Sequence, residues 1–434
     1  ITKPVFDALF EGYSFASNNP VSQAMQSVLD LLQERHLDKE RDTLEQFYNS
    51  VKMRASGIDN AEGKQKIVVE LYDKFFRNAF PRMTERLGIV YTPVEVVDFI
   101  IHSVDHLLQK EFGQTLGSEG VHIIDPFTGT GTFITRLLQS GLIKPEQLEH
   151  KYKNEIHANE IVLLAYYIAA INIEAVYHSL VKDQAAEQGN ADAEIPYQPF
   201  EGICLTDTFQ MYEKDDLISD RLEENSDRRK RQKALDIRVI IGNPPYSSGD
   251  KDDNNNKNIR YPSLDERILT TYIQRSASTS GKSKMYDSYI RAIRWASDRI
   301  GERGVLGFVT NAGYLDSNSA DGMRRALESE CDRIIIVNLR GNQRTSGELS
   351  KREGGKVFDG GSRAPIAMIF MVKGCENPPE NPISYYEVDD YLTRSQKLSL
   401  MSQLESIDKL SSNCKMSYLK ADAHGDWLNH RDKE

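Results

Sequence analysis

The sequence predicts an α/β protein: a doubly wound, seven-stranded, mostly parallel sheet with one antiparallel strand, preceded by a helical region. Three observations predict it. From Val121 onward short apolar runs alternate with amphipathic helical stretches, and several of those runs end in turns marked by glycine, proline or an acidic residue. The last two runs, by contrast, are joined by a polar loop, Arg340 to Ala364, with no helical pattern. Parallel neighbours need a long crossover, so the alternation implies parallel pairing and the helix-free connection an antiparallel return.

Taken in order, residues 1–88 read as a helical connector, because "VSQAMQSVLDLLQE" and "KQKIVVELYDKFFRNAF" carry apolar residues at three- and four-residue spacing with no β-rich interruption. In "YTPVEVVDFIIHSV" Thr92 is expected as the helix N-cap, Pro93 as the first helical residue and Glu95 as the capping-box partner, with Val96, Val97, Ile100, Ile101 and Val104 as the buried stripe. The free backbone donors at such a helix start suit a carboxylate. The seven strands are "VHIID", "EIHAN", "GICLT", "RVIIGN", "GVLGFVT", "RIIIVNL" and "PIAMIFMVK", with helices such as "IVLLAYYIAAINIEAVYHSL" between most of them. They give a main domain over residues 89–375, and residues 376–434 read as a linker leading to a further domain. The stretches "KDQAAEQGNADAE", "GDKDDNNNKN" and "RRKRQK" (Arg228 to Lys233) read as solvated loops.

Composition narrows the function classes. Charged residues make up 27% and hydrophobic residues 39% of the 434, a profile ordinary for soluble domains. No apolar run approaches membrane-spanning length and no signal peptide opens the chain, so a cytoplasmic location is expected. The chain begins at Ile1, which reads as an excised or processed piece of a larger protein. Cys204, Cys331, Cys375 and Cys414 form no Cys-x-x-Cys pair, which argues against a disulfide framework or a zinc site, and no metal is expected. His102 and His106 have ligand spacing but no third partner nearby, and read as a surface pair. A net charge of −11 disfavours a generally adhesive nucleic-acid binder and leaves room only for a local basic cleft.

Two stretches carry chemistry. In "VIIGNPPYSSGD" the prolines end a buried strand and hold an amide, Asn243, and an aromatic ring, Tyr246, at its carboxyl end, the edge where open parallel sheets bind ligands. A tight exit turn is the competing reading of the same residues. In "IIDPFTGTGTFITRLL" a strand ends at Asp125, and Gly129 and Gly131 allow a sharp turn into a helix and a close approach to a ligand. There is no Gly-Lys-Ser/Thr, so a phosphate-gripping loop is disfavoured, and the acidic residue before the turn suits a cationic ligand. Glu160 and Asp207 end the next two strands. Singly they read as a helix first-turn acid and an N-cap. Together, the three strand-end acids are placed to meet the amino acid part, the ribose and the exocyclic amine of one bound nucleoside.

The ordered series "YTPVEVVDF", "DPFTGTGTF", "HANEI", "LTDTF", "IIGNPPY", "KMYDSYIRAIRWA", "GVLGFVTNAGYL" and "KVFDGGSRAPIAMIF" resembles the motifs of gamma-class N6-adenine DNA methyltransferases. With the closing "HGDWLNHRD", it is similar to the methyltransferase segment of large single-polypeptide (type I) restriction-modification enzymes. The resemblance covers nearly the whole chain. It implies a class I, Rossmann-like, S-adenosylmethionine-dependent fold over 89–375, double-stranded DNA as a partner, and nuclease, motor and target-recognition domains in the parent chain. It implies cofactor contacts from Tyr91, Thr92, Pro93, Asp125, Pro126, Phe127, Gly129, Gly131, Glu160 and Asp207, and a catalytic set of Asn243, Pro244, Pro245 and Tyr246. Tyr246 is expected to stack on a flipped-out adenine, with Phe358 as the second aromatic; the alternative for Phe358 is a core residue of the hairpin. Arg344, Lys351, Arg352, Lys356 and Arg363 are phosphate contacts or simply a solvated loop. Transfer to another nitrogen acceptor, such as an RNA base or a protein glutamine, and a catalytically silent cofactor-binding module are the alternative functions.

Overall fold

The computed structural model describes residues 91–190, 195–210, 223–246, 260–358, 363–412 and 416–429. The expected connector, residues 1–88, and the "GDKDDNNNKN" stretch lie outside them. Helix α1 (Val94–Phe112) leads into β1 (His122–Asp125), α2 (Thr132–Gln139), β2 (Ile156–Glu160), α3 (Leu163–Glu187), β3 (Ile203–Leu205), α4 (Glu223–Ala234) and β4 (Ile237–Gly242). Then come α5 (Pro262–Ile268), α6 (Ser288–Arg299), β5 (Gly304–Asn311), α7 (Asp321–Glu330), β6 (Arg333–Arg340) and β7 (Ile366–Lys373). The described chain closes with β8 (Ile383–Glu387), α8 (Arg394–Leu404), α9 (Ile407–Ser412) and β9 (Ser417–Tyr418).

All seven expected strands form, in the order β3-β2-β1-β4-β5-β7-β6, and β7 runs antiparallel to both β5 and β6. Among the described residues the sheet has nine strands rather than seven, since β8 adds parallel to β6 and β9 antiparallel to β8. Part of the stretch expected as a linker is therefore sheet: Ile383, Tyr385 and Tyr386 of "ISYYE" are buried. The polar loop between β6 and β7 also departs from expectation, holding a short helix at Gly347–Glu353.

Strand alternation divides the core in two. On β4, Val239 and Ile241 join α1, α2, α3 and α8 on one face, while Ile237 and Ile240 join α5, α6 and α7 on the other. On β5, Val305 and Val309 face the first group and Leu306 and Phe308 the second. The stripe of α1 is buried as expected. The "RRKRQK" run, by contrast, is helical within α4, which packs along β3 and buries Arg228 and Arg229 while Lys230, Arg231 and Lys233 stay exposed. This topology sets the carboxyl ends of β1, β2, β4 and β5 side by side, with the order reversing between β1 and β4, which is the crevice where doubly wound sheets bind ligands. No described helix is long and apolar enough to cross a membrane.

Candidate active site

At the end of β1, Asp125 is fully buried. Its Oδ1 accepts from the Phe127 amide at 3.0 Å, and its Oδ2 is buried with no partner. Burial pushes this carboxyl up to about 8, with the Phe127 amide opposing and the Glu160 charge reinforcing the shift. The turn that follows is pinned from several elements. Thr128 donates its amide to Asn159 O at 3.0 Å, Thr208 its hydroxyl to Pro126 O at 2.6 Å, and Asn172 its side-chain amide to Thr130 O at 2.9 Å. Gly131 has φ +88° and its missing Cβ would lie 3.2 Å from the Ala169 Cα, so the loop sits directly on α3 and only glycine fits.

Glu160, at the end of β2, accepts from the Gly129 amide at 2.8 Å and the Val162 amide at 2.7 Å. Burial raises it to about 7, against these backbone bonds. Its neighbour Ile161 is 49% exposed, an apolar side chain left open beside a buried acid. Asp207 accepts from the Phe209 amide at 2.9 Å and from the Tyr261 hydroxyl at 2.7 Å. The three strand-end acids thus share one loop system, as Glu160 holds Gly129 and Thr208 holds Pro126. Phe127, expected as a cofactor contact, has its ring packed between Phe209 and Phe308, with centroids 5.5 and 6.1 Å away.

The start of α1 corrects the sequence reading. The helix begins at Val94, and Pro93, with φ −56° and ψ 139°, occupies the N-cap position without a side-chain cap. Thr92 is not the cap, because Pro93 itself keeps an extended ψ and the helix starts one residue later than the capping pattern implies. Its hydroxyl instead accepts from Asn243 Nδ2 at 2.8 Å. Asn243 Oδ1 accepts from the Tyr246 hydroxyl at 2.5 Å, and that hydroxyl also lies 3.0 Å from Val309 O on β5. One phenol proton serves two acceptors here. Tyr246 and Phe358 face each other with centroids 5.9 Å apart at 37°. Phe358 is 2% exposed and belongs to the core, as the alternative reading of it expected. Pro244 is buried and Pro245 partly so.

The basic loop residues divide. Arg352 pairs with Asp390 at 2.7 Å and Lys351 with Glu348 at 3.7 Å, while Arg344 and Arg363 are exposed. His106 lies 3.8 Å from Asp408, and no group of three or more His, Cys, Asp or Glu among the described residues forms a metal-ligand cluster. Sequence reasoning missed Thr208, Asn172 and Tyr261, which pin the loop and Asp207 from distant parts of the chain. Nothing local marks them.

Residues 1–63 match the family model of the Type ISP restriction-modification enzyme coupler domain, and residues 141–344 that of the Eco57I restriction-modification methylase. The chain resembles the methylase segment of Type ISP restriction-modification enzymes. A nuclease-deletion mutant of the Type ISP enzyme LlaGI, solved with a DNA substrate mimic, is 48% identical with a TM-score of 0.87, over 100% of this chain and 34% of that one. The ATP-dependent Type ISP enzyme LlaBIII bound to DNA is 45% identical with a TM-score of 0.89, over 99% of this chain and 28% of that one. DrdV in complex with DNA is 36% identical with a TM-score of 0.86, over 98% and 40%. The chain therefore spans roughly a third of the length of these relatives. No curated protein sequence matches it.

The methylase match spans β2 to β6 and so includes Glu160, Asp207 and Asn243 to Tyr246; Asp125 and Phe358 lie outside it. A restriction-modification methylase of this fold implies S-adenosylmethionine as methyl donor. The residues fit it: Asp125 Oδ2 is a buried carboxyl oxygen without a partner, and Glu160 places a second carboxyl at the next strand end, beside the open apolar Ile161.

Proposed function

We propose that the chain transfers a methyl group from S-adenosylmethionine to the N6 amino group of adenine in double-stranded DNA, by base flipping, as the modification component of a restriction-modification enzyme. The observation that carries this reading is Asn243, anchored through its nitrogen on Thr92 so that its oxygen stands at the end of β4. The neighbouring strand β1 ends at Asp125, and β2, one strand further, ends at Glu160. The bound sulfonium supplies an electrophilic methyl group. Adenine's amino nitrogen is a poor nucleophile because its lone pair is delocalised into the ring. Asn243 Oδ1 and the Pro244 carbonyl would accept its two hydrogens and favour the pyramidal geometry that frees the lone pair, stabilising the positive charge that develops. The Thr92 bond and the two prolines hold these acceptors before the base arrives, which limits reorganisation. No strong base is required, and the proton leaves afterwards.

Extruding the base costs roughly a few kcal/mol in lost stacking and pairing. Stacking on Tyr246 and Phe358 recovers about 1–3 kcal/mol per base–aromatic contact. The two rings lie 5.9 Å apart, whereas a base between them needs about 7 Å, two contacts of roughly 3.5 Å. Base entry therefore parts the rings and takes the Asn243 oxygen from the Tyr246 hydroxyl. Exposed Arg344 and Arg363 are the loop cations best placed for phosphate. The catalytic unit is proposed to start near residue 89 and to extend past 375 to include β8 and β9 of the same sheet, with 1–88 as the connector and the nuclease, motor and target recognition elsewhere in a longer parent chain. LlaGI, described with its nuclease deleted, and LlaBIII, described as ATP-dependent, support that arrangement.

The test uses the full-length chain with methyl-labelled S-adenosylmethionine and duplex DNA, digested to nucleosides. Label is expected in N6-methyladenosine and is expected to disappear in Asn243→Ala with cofactor binding retained. Label in another nucleoside, or undiminished label in the variant, refutes the reading.

A further inference from the structure

The loop that delivers Phe358 is held from outside the expected catalytic domain. Between β6 and Phe358 the chain runs through Gly354 and Gly355, and a Cβ on Gly354 would lie 2.2 Å from Leu392 O and one on Gly355 2.5 Å from Arg394 N. Backbone thus packs on backbone, and hydrogen bonds join the two: the Gly355 amide donates to Leu392 O at 2.9 Å and the Tyr391 amide to Arg352 O at 3.0 Å. Arg394 Nε donates to Val357 O, the carbonyl immediately before Phe358, at 2.9 Å. Arg340 bonds Asp390, which also holds Arg352 at 2.7 Å.

At the centre lies Lys397, 1% exposed, whose ammonium donates to Glu353 O at 2.8 Å and Gly355 O at 2.9 Å. Burying an ammonium is costly, and burial holds its pKa down to about 8. An apolar side chain of similar length would fill the space without that cost. What the lysine adds is two charge-assisted bonds that fix the loop backbone three and five residues before Phe358.

We propose that Lys397, assisted by Arg394, is a positioning residue for target-base capture: from the segment after β8 it holds the loop that sets Phe358 against Tyr246. This rests on the base-stacking reading of the proposed function. The residues after β8 thereby become part of the base-binding site, and movement of that segment on DNA would be transmitted to Phe358 through these carbonyl bonds.

The test uses the full-length chain and duplex DNA with 2-aminopurine at the adenine identified by labelling. Phe358→Ala, Lys397→Met and the double variant are compared for 2-aminopurine fluorescence on binding, KM for DNA and cofactor affinity. Each single variant is expected to weaken base capture about tenfold, the scale of one stacking contact, with cofactor affinity within about twofold of wild type. The double variant should be no worse than Phe358→Ala alone, because Lys397 acts through that ring. A wild-type response from Lys397→Met, or additive losses in the double variant, overturns the proposal. Equal loss of cofactor affinity also overturns it, marking a merely structural lysine. If Phe358→Ala itself captures the base normally, the stacking reading fails and the proposal with it. If Lys397→Met does not fold, Arg394→Gln is held to the same criteria.

Discussion

Replacing Tyr246 by phenylalanine should improve target-base capture, whereas replacing it by alanine should damage it. In the structure the Tyr246 hydroxyl bonds Asn243 Oδ1 at 2.5 Å and lies 3.0 Å from Val309 O, so the acceptor meant for the adenine amine is already engaged. Base entry exchanges that bond for one to the substrate. A net protein hydrogen bond is worth about 0.5–1.5 kcal/mol, so its removal in Tyr246→Phe is expected to strengthen base capture by roughly 2- to 10-fold while the ring still stacks. Tyr246→Ala removes the ring as well and should weaken capture by about 5- to 150-fold, the equivalent of 1–3 kcal/mol of stacking. The assay is 2-aminopurine fluorescence of the full-length chain on duplex DNA, with KM for DNA measured in parallel. If Tyr246→Phe is as impaired as Tyr246→Ala, the hydroxyl is needed in the loaded state, and the view that it merely occupies the Asn243 oxygen beforehand is wrong.

Thr92→Val removes the acceptor for Asn243 Nδ2 and is expected to lower kcat about tenfold through misorientation of the amide, with KM for DNA little changed; a selective KM effect would contradict this role. Burial raises Asp125 to about 8 and Glu160 to about 7, and a ligand that donates to both favours their charged forms, so cofactor affinity should rise with pH between roughly 6 and 9. In the cofactor-free protein the same raised carboxyls contribute stability that is fully present below their unfolded values near 4 and is lost as pH rises through about 7–8. Thermal shifts with and without cofactor across that range check both signs, and a flat pH dependence of the cofactor-induced shift would refute the assignment. Arg324 is fully buried and bonds Asp426 at 2.6 Å, so Asp426→Ala should cost about 3–5 kcal/mol in urea unfolding, and a loss under 1 kcal/mol would show that the ion pair is dispensable.

The seven central strands were legible because each is a short apolar run stopped by a turn residue or an acid, and the hairpin because the polar stretch between β6 and β7 carries no amphipathic crossover pattern. Strand β8 was not, since "ISYYE" is short, lies behind a proline-rich stretch and is interrupted by Ser384 and Glu387. The acids at the strand ends were legible for a local reason: a parallel strand delivers its last residue to the ligand edge wherever the chain goes next. The role of Thr92 was not, because its partner Asn243 lies 151 residues away and the local capping pattern pointed elsewhere. Nor was the clamp on Phe358, in which Lys397 reaches carbonyls 42 and 44 residues back along the chain. The sequence by itself determined the strands, their ends and the chemical types arrayed there, since periodicity and turn chemistry are local properties. Only the tertiary structure decided which donor meets which acceptor, because hydrogen bonds between distant residues are set by how the elements pack and leave no trace in local spacing.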